Sequence, residues 1–402
     1  MFHQTTLDNG LVVLGEVHPG AASVGLGVFV RTGSRDETRE ISGVSHFLEH
    51  MMFKGSANRS ALQLSYDLGA IGAQANAYTT NETTVYYMSI LPEYLKRGVE
   101  LLSEMMTSTL DAQELEMERK VILEEIALYQ DRPTFVLLEK ALESYFKSHQ
   151  AGNSVLGTTQ TVAGISREQM LNYFKGRYSP ENMVFVASGS FDWNDFLSLV
   201  TNYCEQWQSA DASREILEFH PVERDITIEK ANIEKAYYCV LGEAPSAQDS
   251  SRYAAKVLSC ILGDSSGSHC YWRLIDKGLA DMAAIESDEM DGVGVVYGYA
   301  SSDPKQIKEV GYVIDDILLG AKEFTDEQLT RAKIKLSTRL ALSAESPSRR
   351  MMSVGNEWIY RQDYQTIEDI IGLVQSVNRA DILKMLEVFR FKPIVRVTLL
   401  PA

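Results

Sequence analysis

The chain has 402 residues, of which 45% are hydrophobic and 23% are charged, and its formal net charge is −17. This length is sufficient for two domains of about 200 residues each, and the composition is ordinary for a globular protein. The negative charge argues against a nucleic-acid partner, which requires a basic surface, and is compatible with basic or neutral peptide partners.

The sequence carries no signal for membrane insertion or secretion. It contains no run of about 18 apolar residues, so we expect no transmembrane helix and no membrane partner. Met1–Thr5 lacks the basic and apolar regions of a signal peptide. The cysteines show no C-x-x-C spacing, which favours reduced thiols in a cytoplasmic protein over disulfides or a metal site. These cysteines are Cys204, Cys239, Cys260 and Cys270.

The N-terminal segment predicts strands followed by a loop. Asn9-Gly10, within the apolar segment Leu7–Val13, is typical of a β-hairpin. Ser23–Val30 is rich in Gly and Val, as expected for a strand that is buried on both faces. The polar segment Arg31–Glu40 is predicted to be a loop.

The pattern H-x-x-E-H follows, formed by His46, Glu49 and His50. We expect it to lie in a helix that ends near Gly55. Positions i, i+3 and i+4 of a helix share one face, so the two histidines could bind one metal ion with Glu49 beside it. This pattern is the inverzincin motif of zinc hydrolases.

Further helices and two strands are predicted after the motif. Leu62–Leu68 is predicted to be a helix that ends at Gly69, and Pro92–Met106 an amphipathic helix. Between them, residues 72–79 and 83–88 predict two antiparallel strands joined by a turn.

A long helix is predicted over Leu115–Tyr129, and its acidic residues bear on the metal site. Glu118 and Glu125 are seven residues apart and therefore share a face, which we expect to include the apolar Val121 and Ile122. A carboxylate on an apolar face is costly unless it is paired or bound to a metal. Alone, Glu118 would be interpreted as a surface acid. Beside an incomplete two-histidine site, one of the two acids becomes a candidate ligand, whereas Glu124 falls on the exposed side.

Several of these segments resemble one family. The segments His46–Gly55, Asn76–Thr79, Glu118–Ile126 and Tyr178–Met183 resemble the pitrilysin-type (M16) zinc metallopeptidases, most closely the mitochondrial processing peptidase and its bacterial relatives. The resemblance implies an α+β fold of two homologous domains, each a mostly antiparallel sheet flanked by helices, as in the processing-peptidase/LuxS-like metallohydrolases.

The resemblance also implies a role for each site residue. It implies one zinc ion per chain, bound by His46, His50 and Glu125. It makes Glu49 the general base and Glu118 a supporting acid of the catalytic site. It also implies a sheet-edge segment that pairs with an extended peptide substrate by β-augmentation, formed by Asn76, Ala77, Tyr78 and Thr79.

The second half of the chain repeats the pattern of the first half without its metal ligands. Residues 208–226 are polar and are predicted to be a linker between a catalytic zinc-binding domain, 1–207, and a degenerate repeat domain, 227–402. Aligning the two halves places apolar residues or an arginine against the five site residues of the motif and the long helix. These replacements are Ala254, Val257 and Leu258 for His46, Glu49 and His50, and Ala332 and Arg339 for Glu118 and Glu125.

One feature of active relatives is missing from the second half. The resemblance implies an Arg and a Tyr that hold the substrate, but Ile275 and Asp281 stand at these positions. Arg273 is near, although two residues earlier in a helix it faces another side. Some relatives divide the zinc site and the Arg/Tyr pair between two chains, and both a homodimer and a heterodimer with a related Arg/Tyr-bearing chain stay open.

We therefore predict a zinc-dependent endopeptidase that cleaves short or unfolded peptides inside a dimeric chamber. Two alternatives are a zinc-bearing subunit that is active only with a different partner chain and a non-catalytic scaffold subunit. His149 and His269 lie outside the motif and are expected to be structural.

Overall fold

The computed structural model describes all 402 residues. Its strands are β1 (Phe2–Thr6), β2 (Val12–Val17), β3 (Val24–Val30), β4 (Gln74–Thr79), β5 (Thr84–Ile90), β6 (Met183–Gly189), β7 (Arg224–Lys230), β8 (Ala236–Ala244), β9 (Met282–Glu289), β10 (Gly294–Ser302) and β11 (Val395–Pro401). Its helices are α1 (Val44–Met51), α2 (Ala61–Ala70), α3 (Leu95–Met105), α4 (Ala112–Gln130), α5 (Pro133–Phe146), α6 (Thr159–Gly164), α7 (Arg167–Arg177), α8 (Trp193–Cys204), α9 (Arg252–Gly263), α10 (Ile307–Leu319), α11 (Asp326–Ala344), α12 (Pro347–Arg361), α13 (Ile367–Ser376) and α14 (Arg379–Phe389).

The chain forms two compact units, and each is built from three segments of the sequence. Unit 1 consists of Met1–Ala127, Asn153–Glu215 and Ser343–Tyr364. Unit 2 consists of Leu128–Gly152, Ile216–Leu342 and Gln365–Ala402. Unit 1 thus includes α12 from the second half of the sequence, and unit 2 includes α5 from the first half.

The sheet of unit 1 has the strand order β1-β2-β6-β3-β5-β4. Every residue of β3 is buried, as its apolar sequence predicted for a strand covered on both faces. The pairs β1–β2, β3–β6, β3–β5 and β4–β5 are antiparallel, and only β2–β6 is parallel. β4 forms one edge of this sheet, so one side of its backbone has no strand partner.

Helices cover both faces of the unit 1 sheet. On one face, Gly98 of α3 packs against Leu26 and Ile90, where a Cβ atom would lie 2.6 Å from Ile90 Cδ1. On the other face, α12 lies directly on β3: a Cβ on Gly25 would be 2.8 Å from Ser348 Cα, and one on Gly27 would be 2.5 Å from Met351 Sδ. The two glycines therefore allow the helix to approach the strand closely.

The sheet of unit 2 repeats this topology with one strand fewer. Its order is β7-β11-β8-β10-β9, again with one parallel pair, β7–β11, and an edge strand, β9. A buried apolar core lies between one face and α9, α10 and α14. On the other face, Leu137, Ala141 and Tyr145 of α5 pack against β8 and β11. The predicted fold class, two related α+β domains, is confirmed.

Most of the predicted elements are present, with three errors. The β1–β2 hairpin and the helix over 115–129 are confirmed. The predicted end of the H-x-x-E-H helix near Gly55 is wrong, because α1 ends at Met51 and the chain continues in tight turns, in which Phe53 N donates to His50 O and Lys54 N to Met51 O. The predicted end of α2 at Gly69 is wrong, because the helix continues through Ala70 and stops before Gly72, whose φ is +62°. The predicted buried position of Val121 is also wrong, since its side chain is 51% exposed.

The loop 31–40 is far less exposed than its polar sequence suggests. Arg35 Nη1 lies 2.5 Å from Glu82 Oε1, and both side chains are 1% exposed. Asp36 accepts hydrogen bonds from Arg177 and Arg214. Because Arg214 lies within the predicted linker 208–226, this part of the linker is fixed to unit 1 by a buried ion pair.

The cysteines form no disulfides, and no helix is suited to crossing a membrane. All four cysteines are free and buried. None of the helices combines the length and the apolar composition that crossing a membrane requires. Between α8 and β7 the chain contains no helix or strand, in the region predicted as the linker.

Candidate metal centre and active site

The helix α1 places the three residues of the H-x-x-E-H pattern on one face. Its other face is anchored in the core of unit 1 by fully buried side chains, among them Phe47, Leu48 and Met51. The rotation of this short helix is therefore fixed by packing. His46 is 8% exposed, and His50 is more accessible than His46.

His46, His50 and Glu125 converge, although Glu125 follows His50 by 75 residues. His46 Nε2 and His50 Nε2 are 3.3 Å apart. Glu125 Oε2 lies 3.8 Å from His46 Nε2 and 3.5 Å from His50 Nε2. One ligand atom from each of the three residues lies within 4.8 Å of the others.

These distances fit a tetrahedral zinc ion. Two ligands bound to zinc at about 2.0–2.1 Å lie about 3.3–3.4 Å apart. The observed separations of 3.3, 3.5 and 3.8 Å require only small side-chain adjustments to reach these values. Two imidazole nitrogens and one carboxylate oxygen are also the ligand types found in hydrolytic zinc sites with three protein ligands.

Glu118 lies behind the ligands rather than among them. Its Oε1 is 3.0 Å from His50 Nδ1, and its Oε2 is 2.5 Å from Lys54 Nζ. The carboxylate therefore holds the imidazole of His50 by the nitrogen that faces away from His46 and Glu125. Contacts of this kind fix the orientation and the tautomer of a metal-binding histidine.

The two histidines differ in their electrostatic surroundings. Burial, reinforced by the neighbouring His50, lowers the pKa of His46 to about 4. His46 is therefore neutral at neutral pH, which is the form that binds a metal. Burial also disfavours the charged form of His50, but its contacts with Glu125 and Glu118 outweigh this effect and raise its pKa. The carboxylates of Glu118 and Glu125 thus place negative charge around His50.

Glu49 is held beside the cluster by a residue of the neighbouring sheet edge. Thr79 Oγ1 donates a hydrogen bond of 2.6 Å to Glu49 Oε2. Burial raises the pKa of Glu49, and this hydrogen bond opposes the rise. The carboxylate is thus oriented next to the candidate metal ligands while one of its oxygens is free of the Thr79 contact.

The predicted substrate segment lies on the edge strand β4, but its four side chains do not share one environment. Thr79 contacts Glu49, whereas Tyr78 points to the opposite face, where its hydroxyl lies 3.8 Å from Met352 Sδ. Ala77 N donates to the side-chain oxygen of Asn76 rather than to β5, so the backbone of Ala77 faces the free edge. The structure therefore supports a backbone role for this segment more than a side-chain role for Tyr78.

The second unit contains no equivalent of the cluster. Ala254, Val257 and Leu258 are buried in α9, and Arg339 on α11 pairs with Asp264. A cluster of three potential metal ligands is found only at His46, His50 and Glu125.

The positions at which the family resemblance implies an Arg and a Tyr have other contacts here. Asp281 forms an exposed ion pair with Lys235 at 2.8 Å, and Ile275 ends a π-helical turn that begins at Tyr271. Arg273 donates to Asp316 Oδ2 at 2.7 Å, so it is already paired within unit 2. His149 is buried, and its Nδ1 accepts from the backbone of Ala151, which is consistent with a structural role.

Sequence reasoning missed two contacts at this site. Lys54, four residues after His50, pairs with Glu118. A buried carboxylate requires a partner, and this requirement could have indicated Lys54. The contact between Thr79 and Glu49 joins residues 30 positions apart on different elements, and no local pattern predicts it.

Comparisons with known proteins identify the family. Residues 12–159 match the family model described as Insulinase (Peptidase family M16), and residues 164–336 match Peptidase M16 inactive domain. The chain is 30% identical to the "Uncharacterized zinc protease Rv2782c" of Mycobacterium tuberculosis, over 93% of this chain and 87% of that relative. The chain belongs to the M16 peptidase family. It is also 29% identical to the "Uncharacterized zinc protease YmxG" of Bacillus subtilis, over 94% of this chain and 93% of that relative.

Solved structures share the fold over the whole chain. A protease from Helicobacter pylori superimposes with a TM-score of 0.91 at 21% identity, covering 100% of this chain and 99% of that chain. A peptidase M16 inactive domain from Pseudomonas fluorescens gives 0.92 at 16% identity, covering 100% and 98%. The family models and the relatives at 29–30% identity confirm the resemblance to pitrilysin-type peptidases that the motifs indicated.

Proposed function

We propose that this M16 chain is a zinc-dependent endopeptidase whose metal is bound by His46, His50 and Glu125. The observation that carries the proposal is the convergence of these three ligand atoms within 4.8 Å beside an oriented Glu49. The relatives are named as zinc proteases, and these names agree with this metal. The metal-binding and base roles are thus proposed for the same residues that the motif and the family resemblance indicated.

The chemistry divides between the metal and Glu49. A zinc ion at this site would acidify a water molecule and polarise the carbonyl of the scissile peptide bond. Glu49 accepts the proton of the attacking water and transfers it to the nitrogen of the leaving amine. Its contact with Thr79 keeps the carboxylate turned towards the ligands, and Glu118 holds the ring of His50.

We further propose that the substrate is an extended peptide that pairs with the free edge of β4. The backbone N–H and C=O of Ala77 face this edge, and a peptide of almost any sequence that displaces the Asn76 side-chain oxygen from this N–H can form antiparallel hydrogen bonds with them. Backbone pairing requires an extended substrate, so short or unfolded peptides are the proposed substrate class. A dimeric chamber and a cytoplasmic location stay predictions.

The zinc content and the peptidase activity of the purified chain test this proposal. We expect close to one zinc ion per chain by elemental analysis and cleavage of a quenched fluorescent peptide library. Glu49→Gln should retain zinc and lose cleavage by several orders of magnitude, because the isosteric amide cannot accept the proton. Zinc near zero, or undiminished cleavage by Glu49→Gln, would refute the assignment.

A second candidate is a catalytic subunit that requires a related partner chain. The replacement of the Arg/Tyr pair by Ile275 and Asp281, with Asp281 paired to Lys235, favours it. Zinc binding without cleavage by the isolated chain, followed by cleavage when a related Arg/Tyr-bearing chain is added, would support this form. Light scattering of each sample would distinguish a homodimer from a heterodimer. Zinc-free protein that is inactive with any partner would instead support a scaffold role.

A further inference from the structure

The N-terminus of α1, the helix that carries both candidate histidine ligands, has no side-chain cap of its own. Its N-cap is Gly43, with φ +93°. A Cβ atom at this position would lie 2.7 Å from the carbonyl oxygen of Leu156, so the fold excludes the Ser, Thr, Asp or Asn that usually accepts the first free N–H groups. A buried helix end with free N–H groups requires another acceptor.

Glu37 supplies this acceptor from six residues upstream. Its Oε2 accepts from Gly43 N at 2.7 Å, and its Oε1 accepts from Ser45 N at 2.8 Å. Glu37 is 2% exposed, so water does not compete for these bonds. Both oxygens of this carboxyl group thus accept from backbone N–H groups on either side of Val44, at the first turn of the helix.

The same turn is also held by a chain of hydroxyl groups, which begins at Ser45, whose side chain hydrogen-bonds Glu37 as well. Ser45 Oγ lies 2.7 Å from the Tyr173 hydroxyl, which is 2.9 Å from Thr32 Oγ1. Ser45 is fully buried and directly precedes His46. The position of Ser45 therefore determines where the backbone of His46 lies.

We propose that Glu37 is a positioning residue of the metal centre, which fixes the first turn of α1 so that His46 stays aligned with His50 and Glu125. This inference rests on the proposed function for the identity of the site. The helix has only eight residues, and helices of this length are not stable without such contacts. A small rotation of its first turn would move the His46 imidazole away from the other two ligands, while His50, one turn later, would move less.

The variant Glu37→Gln tests this role, with Asp192→Ala as the control. Glutamine keeps the shape of Glu37 but can accept from only one of the two N–H groups. Asp192 caps α8 through Asp195 N, far along the chain from the candidate ligands, so its replacement reports the general cost of losing a helix cap.

Two measurements follow, and the first needs no metal. Amide hydrogen exchange of the metal-free protein should increase about tenfold or more in the peptide covering 44–51 in Glu37→Gln, and not in Asp192→Ala. The zinc dissociation constant, from competition with a chelating dye, should rise about tenfold in Glu37→Gln and stay unchanged in the control.

Faster exchange with an unchanged zinc dissociation constant would show that Glu37 is only structural and would overturn the proposal. If Glu37→Gln does not fold, Tyr173→Phe decides instead, because it removes the Tyr173 hydroxyl from the network that holds Ser45 and Glu37 in place. We expect a rise of about two- to fivefold in the dissociation constant, and no rise would overturn the proposal. Absence of zinc binding by the unmodified protein would refute the proposed function alone. The exchange measurement would still decide whether Glu37 holds the helix.

Discussion

Replacing Thr79 by valine separates two roles that this residue can have. The family resemblance assigns Thr79 to substrate binding, whereas the structure shows its hydroxyl 2.6 Å from Glu49 Oε2. Valine has the same shape as threonine and is equally suited to a strand, so the backbone of β4 should not change. The substitution removes only the hydrogen bond to the proposed base.

The size of the effect follows from the kind of hydrogen bond. A bond to a charged group contributes about 1.5–3 kcal/mol net, and the lower end applies here because Thr79 is partly exposed and water can replace its hydroxyl in part. About 1.5 kcal/mol corresponds to a roughly tenfold decrease in kcat. We expect KM and zinc content to be unchanged, since no candidate metal ligand loses a contact.

Steady-state cleavage of a quenched peptide by the zinc-loaded protein measures both constants. Thr79→Ser, which keeps a hydroxyl group, should recover most of kcat. A higher KM with unchanged kcat in Thr79→Val would show that Thr79 binds substrate instead, and equal losses in the valine and serine variants would show that the hydroxyl is not responsible.

Three further predictions concern the supporting acid Glu118, the edge strand and the capping residue Glu37. Glu118→Gln removes the charge that holds His50 Nδ1, so zinc affinity in a dye competition should fall roughly 10- to 100-fold, while Glu124→Gln, on the exposed side of the same helix, should leave it unchanged. Ala77→Pro removes one outward N–H from β4, so KM should rise about 2- to 12-fold with little change in kcat; an unaltered KM would contradict pairing at this edge. Burial raises the pKa of Glu37 to about 8, so the native chain keeps a proton that the unfolded chain has released. The free energy of unfolding should therefore decrease between about pH 4.5 and 8, by at most roughly 1.4 kcal/mol per pH unit. Urea unfolding at several pH values should show a shallower decrease in Glu37→Gln, and identical slopes would contradict the prediction.

The sequence was informative where function depends on local spacing. The i, i+3 and i+4 positions of His46, Glu49 and His50 follow from helical periodicity alone, and so does the shared face of Glu118 and Glu125. Periodicity could not decide which of the two acids reaches the histidines, because that depends on how α4 packs against α1. Only the family resemblance distinguished them, and in the structure Glu125 lies near both Nε2 atoms while Glu118 contacts Nδ1 of His50.

What the sequence did not reveal depends on long-range packing. The polar sequence of the segment 31–40 predicts a loop, yet Arg35 and Glu37 are among the most buried charged residues of the chain. Their partners, Glu82 and the backbone of α1, lie on other elements, and polar composition alone does not distinguish a solvated charge from a paired one. The assignment of α5 to unit 2 and of α12 to unit 1 was likewise invisible, since each helix has an ordinary amphipathic sequence.

The membership of these two helices affects how the chain can be divided. A fragment that ends at residue 207 lacks α12, so the face of β3 that carries Gly25 and Gly27 would be bare, and a fragment that begins at residue 227 lacks α5, which covers β8 and β11. Each half would expose a large apolar surface and would tend to aggregate. If the two halves arose by duplication, neither copy can now be deleted or transferred to another protein as an independent module. The half without metal ligands is therefore required for the other half to fold, whatever its role towards the substrate.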